Sequence, residues 1–137
     1  MVKLVSGKRG SGKTKVLLDA IRAAKSASNG NVVVIQVGNS LSPQLSCDIR
    51  LINIEDYDII GCDAMRGFAA GIMASDYDCT HIFVDGILRI VSKDRDNMER
   101  VANMLERIDK ISGTDTEIVM TFSAETDELP DSIKKYC

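Results

Sequence analysis

The chain has 137 residues, 45% hydrophobic and 27% charged, with two prolines and no low-complexity tract; this excludes a disordered or fibrous protein and fits a single domain, residues 1–137, with a real core. A formal charge of −3 and a pI near 5.1 leave no overall basic footprint for nucleic acid. No apolar run reaches membrane-spanning length and the start of the chain lacks an export signal, so the expectation is a cytoplasmic protein with no membrane contact.

Val2-Lys3-Leu4-Val5-Ser6 is a short apolar stretch suited to a buried strand. It runs directly into Gly7-Lys8-Arg9-Gly10-Ser11-Gly12-Lys13-Thr14, which fills the phosphate-loop pattern G-x-x-x-x-G-K-[ST] at every fixed position. Val16, Leu17, Ala20, Ile21 and Ala24 then recur at helical spacing, so the motif lies between a strand and a helix, where its mechanism requires it. Glycines let the backbone turn until successive N–H groups point inward at phosphate oxygens, and the first helical turn adds unbonded donors and the positive end of its dipole. Lys13 would place its ammonium on the outer phosphates, and Thr14 would offer a hydroxyl to a magnesium ion. A dinucleotide fingerprint fits worse, because Lys15 stands where the third glycine of G-x-G-x-x-G belongs.

The first helix is expected from Lys13 to about Ser28, with Asn29-Gly30 as a left-handed stop. Val32-Val33-Val34-Ile35 reads as a strand covered on both faces of a parallel sheet, and residues 38–46 as a polar loop leaving its carboxyl end. A short peripheral strand is expected near residues 49–54, before the acidic turn Glu55-Asp56-Tyr57-Asp58. Asp63 can cap a helix running to about Ser75, in which Ala64, Gly67, Gly71 and Ala74 form a stripe of small residues. Two glycines in a helix cost about 1 kcal/mol each relative to alanine. They point to close packing, either on the sheet or between subunits.

Thr80-His81-Ile82-Phe83-Val84-Asp85 is an apolar strand ending in an aspartate, and Gly86 follows it. A helix is expected from about Asp94 to Ile111, with Met98, Val101, Ala102, Leu105, Ile108 and Ile111 inward and mixed charges, Arg95 among them, outward. Arg89, four residues past Asp85, is the better candidate for an arginine near the ligand edge. Ile118-Val119-Met120-Thr121-Phe122 reads as the last core strand, leaving Thr121 or Ser123 to sense an outer phosphate, and a short helix is expected at 131–136. Cys47, Cys62, Cys79 and Cys137 form no C-x-x-C pair and read as free thiols; Cys79-Thr80-His81 reads as strand-end packing rather than half a zinc site.

The loop at 7–14, the aspartate-ended strand at 80–85 and the β-α alternation together resemble the P-loop NTPases over nearly the whole chain, with residues 7–14 as the Walker A element and 80–85 as Walker B. The element order is similar to the RecA-like branch, in which a strand, here residues 118–122, lies between the P-loop strand and the Walker B strand. The resemblance implies a three-layer α/β/α sandwich with a mostly parallel sheet. It also implies ATP as the nucleoside triphosphate, Mg2+ held by Thr14 and Asp85, and catalytic roles for Lys13 and Asp85. Gly86 and Gly38-Asn39 stand where RecA-like enzymes keep a catalytic glutamate. The resulting expectation is a slow ATPase or a nucleotide-gated interaction module, with a homodimer or a partner protein as its target. Lys8 also matches the extra lysine of MinD- and ParA-like dimeric switches, although Arg9 replaces a glycine of their loop; a small-molecule kinase is the other alternative, with residues 38–46 as its mobile segment.

Overall fold

In the computed structural model, which describes residues 1–137, five strands form one sheet: β1 (Val2–Gly7), β2 (Asn31–Gln36), β3 (Arg50–Asn53), β4 (Cys79–Val84) and β5 (Glu117–Ser123). Their order is β1-β5-β4-β2-β3 and every strand pairing is parallel. The strand at 117–123 therefore lies between β1 and β4, and the short β3 is the edge strand expected from its sequence.

Helices cover both faces. Helix α1 (Lys13–Ala27) lies on one face, and α2 (Cys62–Ser75), α4 (Met98–Ser112) and the short α3 (Ile87–Ile90) and α5 (Asp131–Lys134) on the other. The β2 run shows why such strands read as continuously apolar: Val33 and Ile35 enter the core with Met65 and Leu105, while Val32 and Val34 pack with Leu17 and Ile21 of α1. The result is a three-layer α/β/α sandwich. No helix is long and apolar enough to cross a membrane.

Several local expectations need correction. Helix α1 ends at Ala27, with Ser28 extended and donating its N–H to Ala24 O, so Gly30 is not a left-handed stop. A Cβ at Gly30 would stand 2.2 Å from Asp78 O, so close approach of the β4 entry is what requires glycine there. The cap of α2 is Gly61, with Asp63 exposed in the first turn; the carboxylate serving this end is Asp94, whose Oδ2 accepts the Cys62 N–H at 2.8 Å. Helix α4 begins at Met98, because the Asn97 side chain accepts the Arg100 N–H and caps it there. Val16 and Ile111 are exposed rather than inward, and Gly67 and Gly71 face open space, so the small-residue stripe does not pack on the sheet.

Candidate functional site

The turn at residues 7–14 leaves the carboxyl end of β1 beside the ends of β5 and β4. Gly7 N–H donates to Ala124 O at 3.0 Å, which ties the start of the turn to the end of β5. Gly12 stands at the N-cap of α1 with φ 89°, a left-handed conformation that a side chain would oppose. Helix α1 can thus begin at Lys13 with its free N–H groups turned to the loop. Its first turn carries no acidic residue to compete with an incoming anion.

Lys13 is only 9% exposed, and its ammonium donates to Lys8 O at 2.7 Å within the loop. On the facing wall, Asp85 is fixed from three sides. Its N–H donates to Ile35 O at 2.9 Å, and its Oδ1 accepts from Thr121 Oγ1 at 2.9 Å and from Thr14 Oγ1 at 3.4 Å. Thr121 Oγ1 also accepts the Gly86 N–H at 2.7 Å. Thr121 is therefore a buried positioning residue for Asp85, and Ser123 is the half-buried hydroxyl left facing the cavity.

Between these walls is a cavity of about 610 Å³. Arg9, Lys13, Arg89 and Arg95 all line it, and Asp85 is the single carboxylate on its wall. None of the four cations has a carboxylate partner within 4 Å. On a chain of net charge −3 this is a local concentration of uncompensated positive charge in a concave surface, which focuses the field on an anionic ligand.

Of the residues singled out in the sequence, the cavity wall brings together Arg9, Gly10, Gly12, Lys13, Thr14, Asp85, Arg89, Thr121 and Ser123. Gly7, Lys8 and Ser11 belong to the loop but not to that wall. The Lys8 ammonium turns outward to Glu125 Oε1 at 3.3 Å in its own chain. Arg95 was placed on an outward helical face, yet it lies on the cavity wall because α4 starts three residues later. The signal for it was Asn97, one of three capping residues in the run Asp94-Arg95-Asp96-Asn97; the cap at Asn97 takes Arg95 out of the helix.

Thr14 and Asp85 offer a hydroxyl and a carboxylate converging on one another at an open cavity. Two hard oxygens with room for water suit Mg2+, which binds few protein ligands and keeps most of its hydration. The middle of the 38–46 loop is pinned, with Leu41 fully buried and its N–H bonded to Gln36 Oε1 at 2.9 Å, and the loop does not line the cavity. Burial pushes the Cys62 and Cys79 thiols up to about 11, with the Asp94 charge adding to the shift at Cys62 and that of Asp76 at Cys79, so neither is a thiolate near neutral pH. Cys47 and Cys137 are exposed.

No protein-family model and no curated protein sequence matches the chain. In structure it is similar to domain III of the replication initiation protein DnaA from Thermotoga maritima, with a TM-score of 0.50 at 13% identity, over 98% of this chain and 50% of that one. The chain thus spans about half the length of that structure. At such identity the likeness is one of fold alone, an α/β fold with a parallel sheet.

Proposed function

We propose that this protein binds ATP with Mg2+ at the cavity between residues 9–14 and Asp85, turns it over slowly, and uses the bound nucleotide to gate an interaction. The observation that carries this reading is the set of four cations without a carboxylate partner, Arg9, Lys13, Arg89 and Arg95, around one carboxylate, Asp85, that accepts from the Thr14 hydroxyl. The RecA-like assignment is supported by the place of β5 between β1 and β4.

In this reading the loop N–H groups and the start of α1 hold the inner phosphates, and Lys13 shifts one of its N–H donors from Lys8 O to an outer phosphate oxygen. Thr14 would hold the metal directly and Asp85 would hold it through water, kept in place by Thr121. Bound Mg2+ supplies charge neutralisation on the outer phosphate oxygens. Arg89, Arg95 and Ser123 face the region where the terminal phosphate would lie. The wall offers no second carboxylate to activate water, and a positioned general base is commonly worth about a hundredfold or more in rate. Slow turnover follows from that composition.

Calorimetry with ATP, GTP and a non-hydrolysable ATP analogue, with and without magnesium, tests the binding claim. Phosphate release compared with a Lys13→Ala control tests turnover. Tight magnesium-dependent ATP binding with release only slightly above that control is the expected pair of results; no triphosphate uptake at millimolar concentration overturns the reading.

A further inference from the structure

Beside the phosphate cavity, across the Arg89 side chain that both share, lies a second cleft of about 300 Å³ at the carboxyl ends of β2 and β3. We infer that this cleft is a binding site for a small molecule with an apolar body and a cationic amine head. The inference rests on the nucleotide reading only for what lies on the far side of Arg89; the cleft's own chemistry stands apart from it.

Five of the nine lining residues are apolar: Val37, Ile54, Ile59, Ile60 and Ile90. Ile60 is 54% exposed at its edge, an uncovered branched side chain beside a concave surface. The polar part is supplied by Glu55 and Asp58, both on the turn that follows β3. Neither carboxylate has a cation within 4 Å. Asp58 closes that turn in a left-handed conformation, φ 57°, with its N–H on Glu55 O at 3.3 Å, so the two acids are set on one rigid corner. The cleft thus combines apolar walls, two unpaired carboxylates and, on its opposite side, Arg89 and Ser92.

The balance of charge, two carboxylates against the one guanidinium of Arg89, sets the ligand class: an alkylammonium places its chain on the isoleucines and its head on the acids, whereas a carboxylate must reach Arg89 past Glu55 and Asp58. The volume is at the low end of the roughly 300–1,000 Å³ range of ligand pockets, which limits the occupant to a small molecule. Arg89 lines both cavities, so an occupant of the cleft shares one residue of its wall with the phosphate cavity.

The test uses the whole chain labelled with 15N and titrated with n-pentylammonium, 1-pentanol or pentanoate at millimolar concentration. Pentylammonium is expected to shift the amides of residues 54–60 and 90–92, with pentanoate at least tenfold weaker. Glu55→Gln/Asp58→Asn, which keeps both side-chain shapes, is expected to weaken pentylammonium at least fivefold and leave pentanol unchanged. Equal binding of pentanoate, shifts centred elsewhere, or an unaffected double variant overturns the inference. ATP titrated separately reports through the amides of Gly10, Gly12 and Thr14: loss of that response with the amine response intact removes the nucleotide reading alone, and the reverse removes the cleft alone.

Discussion

The cavity at the phosphate-loop turn and the cavity of about 380 Å³ between α2 and α4 each present three arginines: Arg9, Arg89 and Arg95 in the first, Arg66, Arg100 and Arg107 in the second. Their surroundings differ. Around the second, Asp63 and Glu99 share the wall, Asp94 Oδ1 takes Arg100 at 3.1 Å, and Arg107 Nε donates to Asn103 Oδ1 at 3.0 Å. Around the first, Lys13 adds a fourth positive charge and only Asp85 opposes them. In the second cavity one arginine, Arg100, is paired with a carboxylate and Asp63 and Glu99 share the wall with the other two; in the first, no arginine is paired and a single acid stands among four cations. Substitutions in the two cavities should therefore separate ligand binding from stability.

The largest separation is expected from Lys13→Ala. A hydrogen bond to a charged group is worth about 1.5–3 kcal/mol and 1.4 kcal/mol is tenfold. Affinity for MgATP should therefore fall on the order of a hundredfold by calorimetry. The unfolding midpoint should not fall, because the substitution removes a nearly buried ammonium that has no carboxylate partner and donates only within its own loop, to Lys8 O at 2.7 Å and Ser11 Oγ at 3.5 Å. A variant that unfolds easily and still binds would assign Lys13 to the fold instead. Arg89→Ala and Arg95→Ala come next, each lowering MgATP affinity by about tenfold and MgADP affinity less, since one charge-assisted contact is at stake and it faces the outer phosphate.

Arg95 also shows where the sequence stops being legible. The phosphate loop, the aspartate-ended strand and the doubly covered strands were readable because each is local: glycine spacing, apolar runs and their ends lie within a dozen residues. The place of the strand at 118–122 between β1 and β4 came from the family resemblance rather than from any local pattern. What could not be read depends on contacts between distant segments. Asp94 serves the start of α2 from 32 residues away, Thr121 spends its hydroxyl on Asp85, and Gly30 answers the approach of Asp78 O. The segment between β4 and α4 carries Arg89 and Arg95 to one cavity and Asp94 to the start of α2, and no periodicity announces that.

In the α2–α4 cavity the expected effect moves to stability. Asp94→Ala removes the acceptor of the Cys62 N–H and the partner of Arg100, and the unfolding midpoint should drop by about 4 °C with MgATP affinity unchanged. The Cys62 N–H bond first, and Arg100 second, hold the Asp94 carboxyl below its ordinary range. A depressed carboxyl stabilises the fold above its unfolded value of about 3.9, and that contribution is lost as pH falls through the lower folded value. Midpoints of the wild type and Asp94→Ala should thus differ at pH 7 and converge toward pH 3. A gap that persists at pH 3 would assign the loss to packing rather than charge.

The smallest effect is the most discriminating for the comparison itself. Arg66→Ala and Arg107→Ala each remove one positive charge from the chain, as Arg95→Ala does. If general attraction between cations and a polyanion governed binding, all three should weaken ATP alike. The separation of the cavities argues otherwise: at physiological ionic strength the screening length is about 8 Å, so a solvated arginine on the α2–α4 side contributes little field at the phosphate-loop turn. MgATP affinity should stay within about twofold for both α2–α4 variants, and their unfolding midpoints within about 2 °C, the usual result for a solvated surface side chain. Titrations of the three variants at 50 and 300 mM salt give the check. A tenfold loss for Arg66→Ala or Arg107→Ala that vanishes at high salt would show long-range charge at work and would dissolve the distinction between the two cavities.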